Sequence, residues 1–438
     1  MKYYLAIDIG ATSGRGMLGH IENNEIILEE VYRFDNYLIK RENSLFWDIA
    51  KIYKSIIEML KKCKEIGKIP VSLGIDTFGV DYALLDEQDE LVRDIHSYRD
   101  SRTIKSKLDF EKHMSINELY LKTGVYPQLF NTLYQLYDDK EKGLLEKTKT
   151  IMFLPCYLGY LLTGVKYNEL SIASTSGLIN KDTFDYDNDI LNLLGLQKEN
   201  FANFKNNGEL VGFLKKSVEE VVGYNLKVIN IISHDTGTGV YGSKVKLNEL
   251  FLSSGTWSLL GVLRENYDSR ITCYEQGFTN ELNGVGKVRF LQNIVGMFLI
   301  NTLNNECEKL PITEVVERAK LGSNYKEIFD ASLPNFLSTN SMKDEIIKYF
   351  KDRNIIPPQN LNELYFCIYN SLAHCYKKTI DNIENLTNQK YEKIIIFGGG
   401  SKNKFLNSLT EELTNKKVVV GPSEGSSIGN IMCQLLND

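Results

Sequence analysis

The stretch VINIISHDTGTGV, residues 228–240, decides how the chain is read. Residues 228–232 are an apolar run, broken only by Asn230 and ended by polar residues, close to the pattern of a parallel strand covered on both faces. The run predicts a short buried strand that delivers His234, Asp235 and Thr236 into a turn, where Gly237 and Gly239 let backbone or ligand come close. In open α/β sheets ligands bind just beyond the carboxyl ends of such strands. Asp235 is therefore the candidate general base, with the chain before and after it building two lobes around it. The competing reading is that Asp235 caps the helix that follows, a common role for Asp after a strand.

Working outward, the start of the chain reads as strand, tip and returning strand: residues 3–9, 10–14 and 15–21. The tip is Gly10-Ala11-Thr12-Ser13-Gly14. Its free backbone amides and hydroxyls can form an anion nest for phosphate. Asp8 stands beside that tip and would repel phosphate unless a cation lay between, which fits Mg²⁺ held through water. A plain hairpin is the alternative, and no Walker loop occurs. The composition changes at residues 241–244, a hinge candidate. Beyond it the plan recurs, with a strand at 250–253, a tip at Ser254-Gly255-Thr256 and a return at 257–263. Two such tips facing each other can grip a polyphosphate from both sides. A duplicated lobe with a nucleotide between the copies is the plan of the actin-like ATPase fold.

Between these landmarks, 25–34 reads as a strand and 47–66 as an amphipathic helix with Asp48 in its first turn. A buried strand at 71–75 ends in Asp76-Thr77-Phe78-Gly79-Val80-Asp81, where Gly79 allows backbone to approach a small polar ligand. Arg99 or Arg102 can clamp a substrate hydroxyl or a neighbouring carboxylate, or the pair opens a solvated helix. Helices are expected at 104–120, 128–147 and 152–163. The hydroxyl-rich run 171–176 is either a substrate contact or a helix cap. Residues 288–293 approach a strand that places Asn293 before a helix at 296–304. A long amphipathic helix at 364–386 precedes a strand at 391–397, which empties into Gly398-Gly399-Gly400-Ser401. Glycines there let a flat base or ribose lie on backbone.

Composition limits the function classes. The 438 residues suggest two or three domains, with 43% hydrophobic and 25% charged residues and a net charge of −6. With no concentrated basic patch, nucleic acid and anionic membrane are not expected partners. No apolar run approaches a membrane span, and the first residues are too short and too soon acidic for a signal peptide. Seven scattered cysteines without a C-x-x-C argue for reduced thiols in the cytoplasm and against a zinc site.

Together the motifs resemble the FGGY carbohydrate kinases, and within them the rhamnulokinase branch. The resemblance rests on AIDIGATSGRGML at 6–18, GIDTFGVDYALLD at 74–86, YRDSRT at 98–103 and FNTLYQL at 130–136. It continues through SHDT at 233–236, SSGTWSLLGV at 253–262, QNIVG at 292–296, GGGSKNKFLN at 398–407 and GPSEGSSIGNI at 421–431. It implies an α/β fold of two RNase-H-like, actin-like ATPase lobes, residues 1–243 for the sugar and 244–438 for the nucleotide. It implies ATP and Mg²⁺, with transfer of the γ-phosphoryl to the 1-hydroxyl of L-rhamnulose. On it, Asp235 matches the proton acceptor, and Gly79, His234, Thr236 and Asn293 match sugar contacts. Ala11, Thr12, Ser13, Gly14, Arg15, Thr256 and Gly399 match ATP contacts, and Asn301 stands where the family commonly has a Gln that touches ATP. Further departures are Phe78 for Trp, Gly237-Thr238 for Ala-Ser, and a chain that stops at Asp438, soon after the last motif.

The expected partners are thus the sugar and ATP, in a cytoplasmic monomer or homodimer. Another ketose or polyol, such as L-fuculose or L-xylulose, is the alternative within the class. A non-catalytic, nucleotide-gated sugar sensor is the alternative outside it, since fold does not fix function. A dinucleotide-dependent hydride transfer is the poorer reading, since the tip lacks G-x-G-x-x-G spacing and returns as a strand where a helix is required.

Overall fold

The computed structural model describes residues 1–35, 37–284, 286–337, 339 and 341–438. In the first half, six strands form one sheet: β1 (Tyr3–Ile9), β2 (Ser13–Glu22), β3 (Glu25–Asp35), β4 (Pro70–Thr77), β5 (Leu210–Phe213) and β6 (Lys227–Ile229). Their order is β5-β6-β4-β1-β2-β3. β2 runs antiparallel to β1 and β3, while β4 and then β6 add in parallel on the other side of β1. Helix α1 (Ile49–Glu65) covers this sheet with Ile52, Ile56, Met59, Leu60 and Cys63 fully buried. Asp48 lies just before its first turn, where the carboxylate accepts the Lys51 N–H at 2.9 Å as the N-cap. Helix α2 (Asp235–Gly242) closes the half.

The second half repeats the plan with β7 (Leu250–Ser254), β8 (Trp257–Arg264), β9 (Phe278–Leu282), β10 (Val288–Val295), β11 (Lys393–Phe397) and β12 (Lys417–Val420). The order is β9-β10-β8-β7-β11-β12. The runs β3-β2-β1-β4-β6 and β10-β8-β7-β11-β12 match strand for strand in order and in sense. Each sheet has its own apolar core. The helices of the second half that matter for the site are α3 (Phe298–Cys307), α4 (Leu361–Thr387), α5 (Lys404–Thr414) and α6 (Gly425–Leu435).

Several expected elements differ in extent. The strand expected at 228–232 ends at Ile229, because its continuation is hydrogen-bonded elsewhere. Asn230 N–H reaches Glu209 O at 2.8 Å, and Ser233 N–H reaches Glu169 Oε2 at 3.2 Å. Gly237 and Gly239 are not in a turn but on α2, where a Cβ on Gly239 would stand 2.6 Å from the Phe397 ring. The helix expected at 104–120 is two helices, Thr103–Phe110 and Ile116–Thr123, the second capped by Ser115. Residues 152–163 split into the strand Thr150–Phe153 and the helix Leu154–Thr163, since Pro155 suits a first helical turn and not a helix interior.

Helix α6 returns from the end of the chain to the first sheet. Gln434 donates to Leu5 O at 3.0 Å, and Asn430 donates to Gly74 O at 3.1 Å. It crosses α2 with backbone against backbone: a Cβ on Gly242 would lie 2.1 Å from Gly425 O, and one on Gly429 would lie 2.0 Å from Thr238 O. Neither helix can yield without moving the strands beneath it. Gly429→Ala should therefore lower stability by about 3 kcal/mol, the upper end of ordinary overpacking, read as a drop in the thermal unfolding midpoint.

Candidate active site

The polar ends of both sheets meet in a cleft of about 580 Å³. One wall is the first hairpin tip, from which Gly10, Ala11, Thr12, Ser13 and Arg15 line the space. The opposite wall is the second tip, with Gly255 and Thr256. Each tip is tightened by a backbone hydrogen bond, Gly10 N–H to Ser13 O at 3.0 Å and Gly255 N–H to Trp257 O at 2.9 Å. Gly14 lies beneath the first tip and not on the cleft. A Cβ there would stand 2.3 Å from the Phe34 ring, so the glycine makes room for packing.

At the floor, α2 begins with Asp235 on the cleft. Burial and, second, the charge of Asp8 push its carboxyl up to about 7, against the N–H and hydroxyl of Thr236. Asp8 and Asp76 are register partners on β1 and β4, so two carboxylates stand side by side. Burial and the Asp8 charge raise Asp76 well above the usual carboxylate range. Its Oδ2 accepts from Asn430 at 2.7 Å, and its Oδ1 has no hydrogen-bond partner. Asp8 Oδ2 accepts from Arg15 Nη2 at 2.9 Å, and Arg15 also pairs with Glu424 from the second half.

The other end of the cleft sets aromatic rings against polar side chains. Phe78, Tyr98, Phe130 and Trp257 line it as a run of rings, with Phe78 to Tyr98 at 5.6 Å, Tyr98 to Phe130 at 6.0 Å and Phe130 to Trp257 at 6.3 Å. Facing them are His234, Thr236, Asn131, Thr175, Glu281 and Asn293. Gly79 is bare because its neighbours crowd it: a Cβ would meet Thr175 Oγ1 at 3.0 Å and His234 Nε2 at 3.2 Å. Val80 next to it has φ of 70°, a left-handed conformation foreign to a β-branched residue. Thr175 accepts its N–H at 3.2 Å and Thr132 donates to its carbonyl at 2.6 Å, which holds the strain in place. Asn293 lies within β10 opposite Leu259, and the strand expected to end there runs on to Val295.

Gly399 and Lys402 line the cleft and also a second cavity of about 440 Å³, floored by Met297, Val316 and Phe405. Asn301 is exposed on α3 and lines neither cavity. Arg102 turns inward, to Asp138 and Asp139 at 2.7 Å each, and is not at the cleft. In the hydroxyl run, Glu169 caps the short helix Leu170–Ala173, while Thr175 reaches the cleft. Asp76, Glu281, Lys402 and Glu424 were not singled out as site residues from sequence. Arg289 was missed too, although a charge inside the apolar run VRFL is itself a signal.

The profile of the FGGY family of carbohydrate kinases matches residues 3–242 with its N-terminal domain and residues 250–437 with its C-terminal domain. The chain belongs to this family. Similar proteins include the rhamnulokinase of Oceanobacillus iheyensis, 39% identical over 437 residues, 99% of this chain and 92% of that one. The rhamnulokinase of Bacillus subtilis is 36% identical over 440 residues, 99% and 90% of the two chains. Among solved structures, a ligand-bound xylulose kinase from Lactobacillus acidophilus superposes with a TM-score of 0.81 at 15% identity, over 99% of this chain and 89% of that one. Plasmodium falciparum glycerol kinase with ADP gives 0.76 at 16%, over 100% and 89%. The carbohydrate kinase described here thus has the two-lobed fold expected of it.

The placement of Arg102 separates a structural from a substrate role in this kinase. Asp139 is fully buried between Arg93 and Arg102 and is held well below the usual carboxylate range by both, against its burial. Arg102→Met should cost about 3 kcal/mol in urea unfolding, as loss of one partner from a buried pair does. The sugar KM of the folded fraction should stay within about twofold, since an interior arginine touches no ligand.

Proposed function

We propose that this kinase transfers the γ-phosphoryl of ATP to the 1-hydroxyl of L-rhamnulose, with Asp235 as general base. The observation that carries the reading is one carboxylate, pushed up to about 7, standing between two hairpin tips and an aromatic-walled polyol pocket. Asp235 accepts the proton of the attacking hydroxyl, the oxygen bonds to the γ-phosphorus and ADP leaves. Such transfers depend on positioning and electrostatics more than on covalent help. The choice of sugar is supported by the two relatives named rhamnulokinase and by the HDT and SSGTWSLLG motifs.

Gly79, His234, Thr236 and Asn293 face the sugar. Ala11, Thr12, Ser13, Arg15 and Thr256 face the phosphates, and Gly399 with Lys402 leads to the second cavity, which suits the base and ribose. The N-terminus of α2 aims its positive end at the same place. Mg²⁺ fits the donor set: Asp8 offers hard oxygens beside the phosphate tip, with Asp76 buried behind it. Among the described residues no three side chains form a closed cage, so water and phosphate oxygens would complete its shell. When bound, the ion neutralises phosphate charge. The sugar lobe is 1–243 and the nucleotide lobe 244–438, with Glu281 and Asn293 reaching across. Among the described residues no helix is long and apolar enough to cross a membrane. A cytoplasmic monomer or homodimer fits the free thiols and the net charge of −6.

ADP release with Mg²⁺ tests the substrate against L-fuculose, L-xylulose, D-xylulose and glycerol. L-Rhamnulose should give the highest kcat/KM, and preference for another sugar would replace it. Asp235→Asn should retain ATP and sugar binding while kcat falls about 10³-fold; near-normal turnover would remove Asp235 from the base role. The base works ionised, so kcat/KM should be flat above about pH 7 and fall about tenfold per unit below it.

A further inference from the structure

We infer that Arg289 is a positioning residue that locks His234 as the neutral tautomer with its proton on Nε2, turned toward the substrate. Arg289 is fully buried on β10, directly opposite Glu281 of β9 in the register. Its Nη1 stands 2.8 Å from His234 Nδ1, and its Nη2 donates to Leu282 O at 3.1 Å and meets Glu281 Oε2 at 3.1 Å. A guanidinium has only hydrogens to offer. The Nδ1 it faces must therefore present a lone pair, and a neutral ring then carries its single proton on Nε2. The alternative partner for a protonated Nδ1 is Glu281 Oε2, at 3.7 Å, too far for a hydrogen bond.

Nε2 is the nitrogen that faces the bare Cα of Gly79, and it lies 3.6 Å from Asp235 Oδ1. The ring thus presents a donor, not an acceptor, to whatever oxygen enters the pocket. The same guanidinium forms an ion pair with Glu281 on the cleft wall, so one buried cation bears on two groups that line the cleft. Room for it comes from α2, where a Cβ on Gly237 would stand 3.4 Å from Arg289 Cζ.

The charged and titratable groups around His234 are Arg289, Glu281 and Asp235 in direct reach, with Glu169 and Tyr267 acting through Arg289 and Glu281. Burial and then the guanidinium hold the imidazole well below its ordinary value, in line with the lone pair on Nδ1.

The test is ¹⁵N NMR of the full-length protein labelled at its five histidines, with the His234 signal assigned through His234→Gln. The expected spectrum has a protonated Nε2 and a bare Nδ1, unchanged from about pH 8 to about pH 5, where an ordinary histidine titrates. A proton on Nδ1, or an ordinary titration, overturns the inference, and this arm needs a variant only for assignment. In Arg289→Met the tautomer should become mixed, and the sugar KM should rise about tenfold, the loss of one buried hydrogen bond. That KM should also acquire a pH dependence near about 6.5 that the unaltered enzyme lacks, while the ATP KM stays put. Arg289→Lys, which still offers a donor, should recover the Nε2–H signature. An Arg289→Met protein that keeps both the pure tautomer and a pH-independent KM would reduce Arg289 to packing. The kinetic arm rests on the ketose reading above, whereas the spectral arm does not. Failure of the enzyme to phosphorylate any ketose would therefore sink that reading and leave the tautomer result standing.

Discussion

Two helices crossing with no side chains between them set the geometry of everything else. Where α2 meets α6, Gly242, Gly425 and Gly429 bring main chains into contact, and a single methyl on either helix would overlap backbone of the other. α6 in turn is bolted to β1 and β4 through Gln434, Asn430 and Ser72, with Ser72 donating to Gln434 Oε1 at 2.7 Å. The first turn of α2 is thereby held beside the ends of β1 and β4, which is where Asp8 and Asp76 emerge. Interiors are packed too densely for such a crossing to slide by a fraction of its spacing. The position of Asp235 is accordingly set by the crossing together with the loop that precedes it, where Ser233 O accepts from Thr77 N–H at 2.9 Å.

That placement concentrates negative charge. Asp8, Asp76 and Asp235 act on one another, and the fold answers with few cations: Arg15 at Asp8, and Arg289 at a greater remove from Asp235. Burial and the neighbouring Asp8 charge then push protons on to the carboxyls of Asp76 and Asp235, because like charges in a poorly solvated cleft disfavour ionisation. A carboxyl near neutrality is a useful base for an alcohol. Glu281 does not add to the imbalance, since Arg289 is its cross-strand partner.

The duplicated strand–tip–strand plan was legible because each unit is local. An apolar run, a Gly/Thr tip and a second run suffice, and sheet order confirms both units down to the parallel partners. Most residues named for the site also reach the cleft, because their motifs sit at strand ends where alternation leaves little choice of face. What escaped depends on distant partners. Strand 228–232 was cut short by Glu209 and Glu169, which no local pattern reveals. Gly14 and Gly239 serve packing against Phe34 and Phe397. β9, reading FTNEL, was not recognised as a strand, yet its alternation sends Thr279 and Glu281 to the cleft. For Arg102 the sequence left a substrate hydroxyl, a neighbouring carboxylate and a solvated helix start open, and only the separate helix that brings Asp138 and Asp139 to it decides for the carboxylate.

β9 also makes the two ends of the cleft unequal. At the sugar end it is stitched to the first half by Asn280 N–H to Gly124 O at 2.9 Å, Tyr120 Oη to Phe278 O at 2.8 Å and Leu282 N–H to Ser174 Oγ at 2.8 Å. These bonds are buried, so opening them strands polar groups, at about 1–3 kcal/mol for each group left unmatched. The Phe130–Trp257 ring contact lies on the same side. At the end of the two tips the Arg15–Glu424 pair crosses the cleft, with side chains 20% and 26% exposed. An ion pair with access to water contributes little and exchanges easily. The aromatic end is therefore held by β9, whereas at the tips it is α6, bonded to β1 and β4, that keeps the halves together while Arg15 can trade Glu424 for another anion.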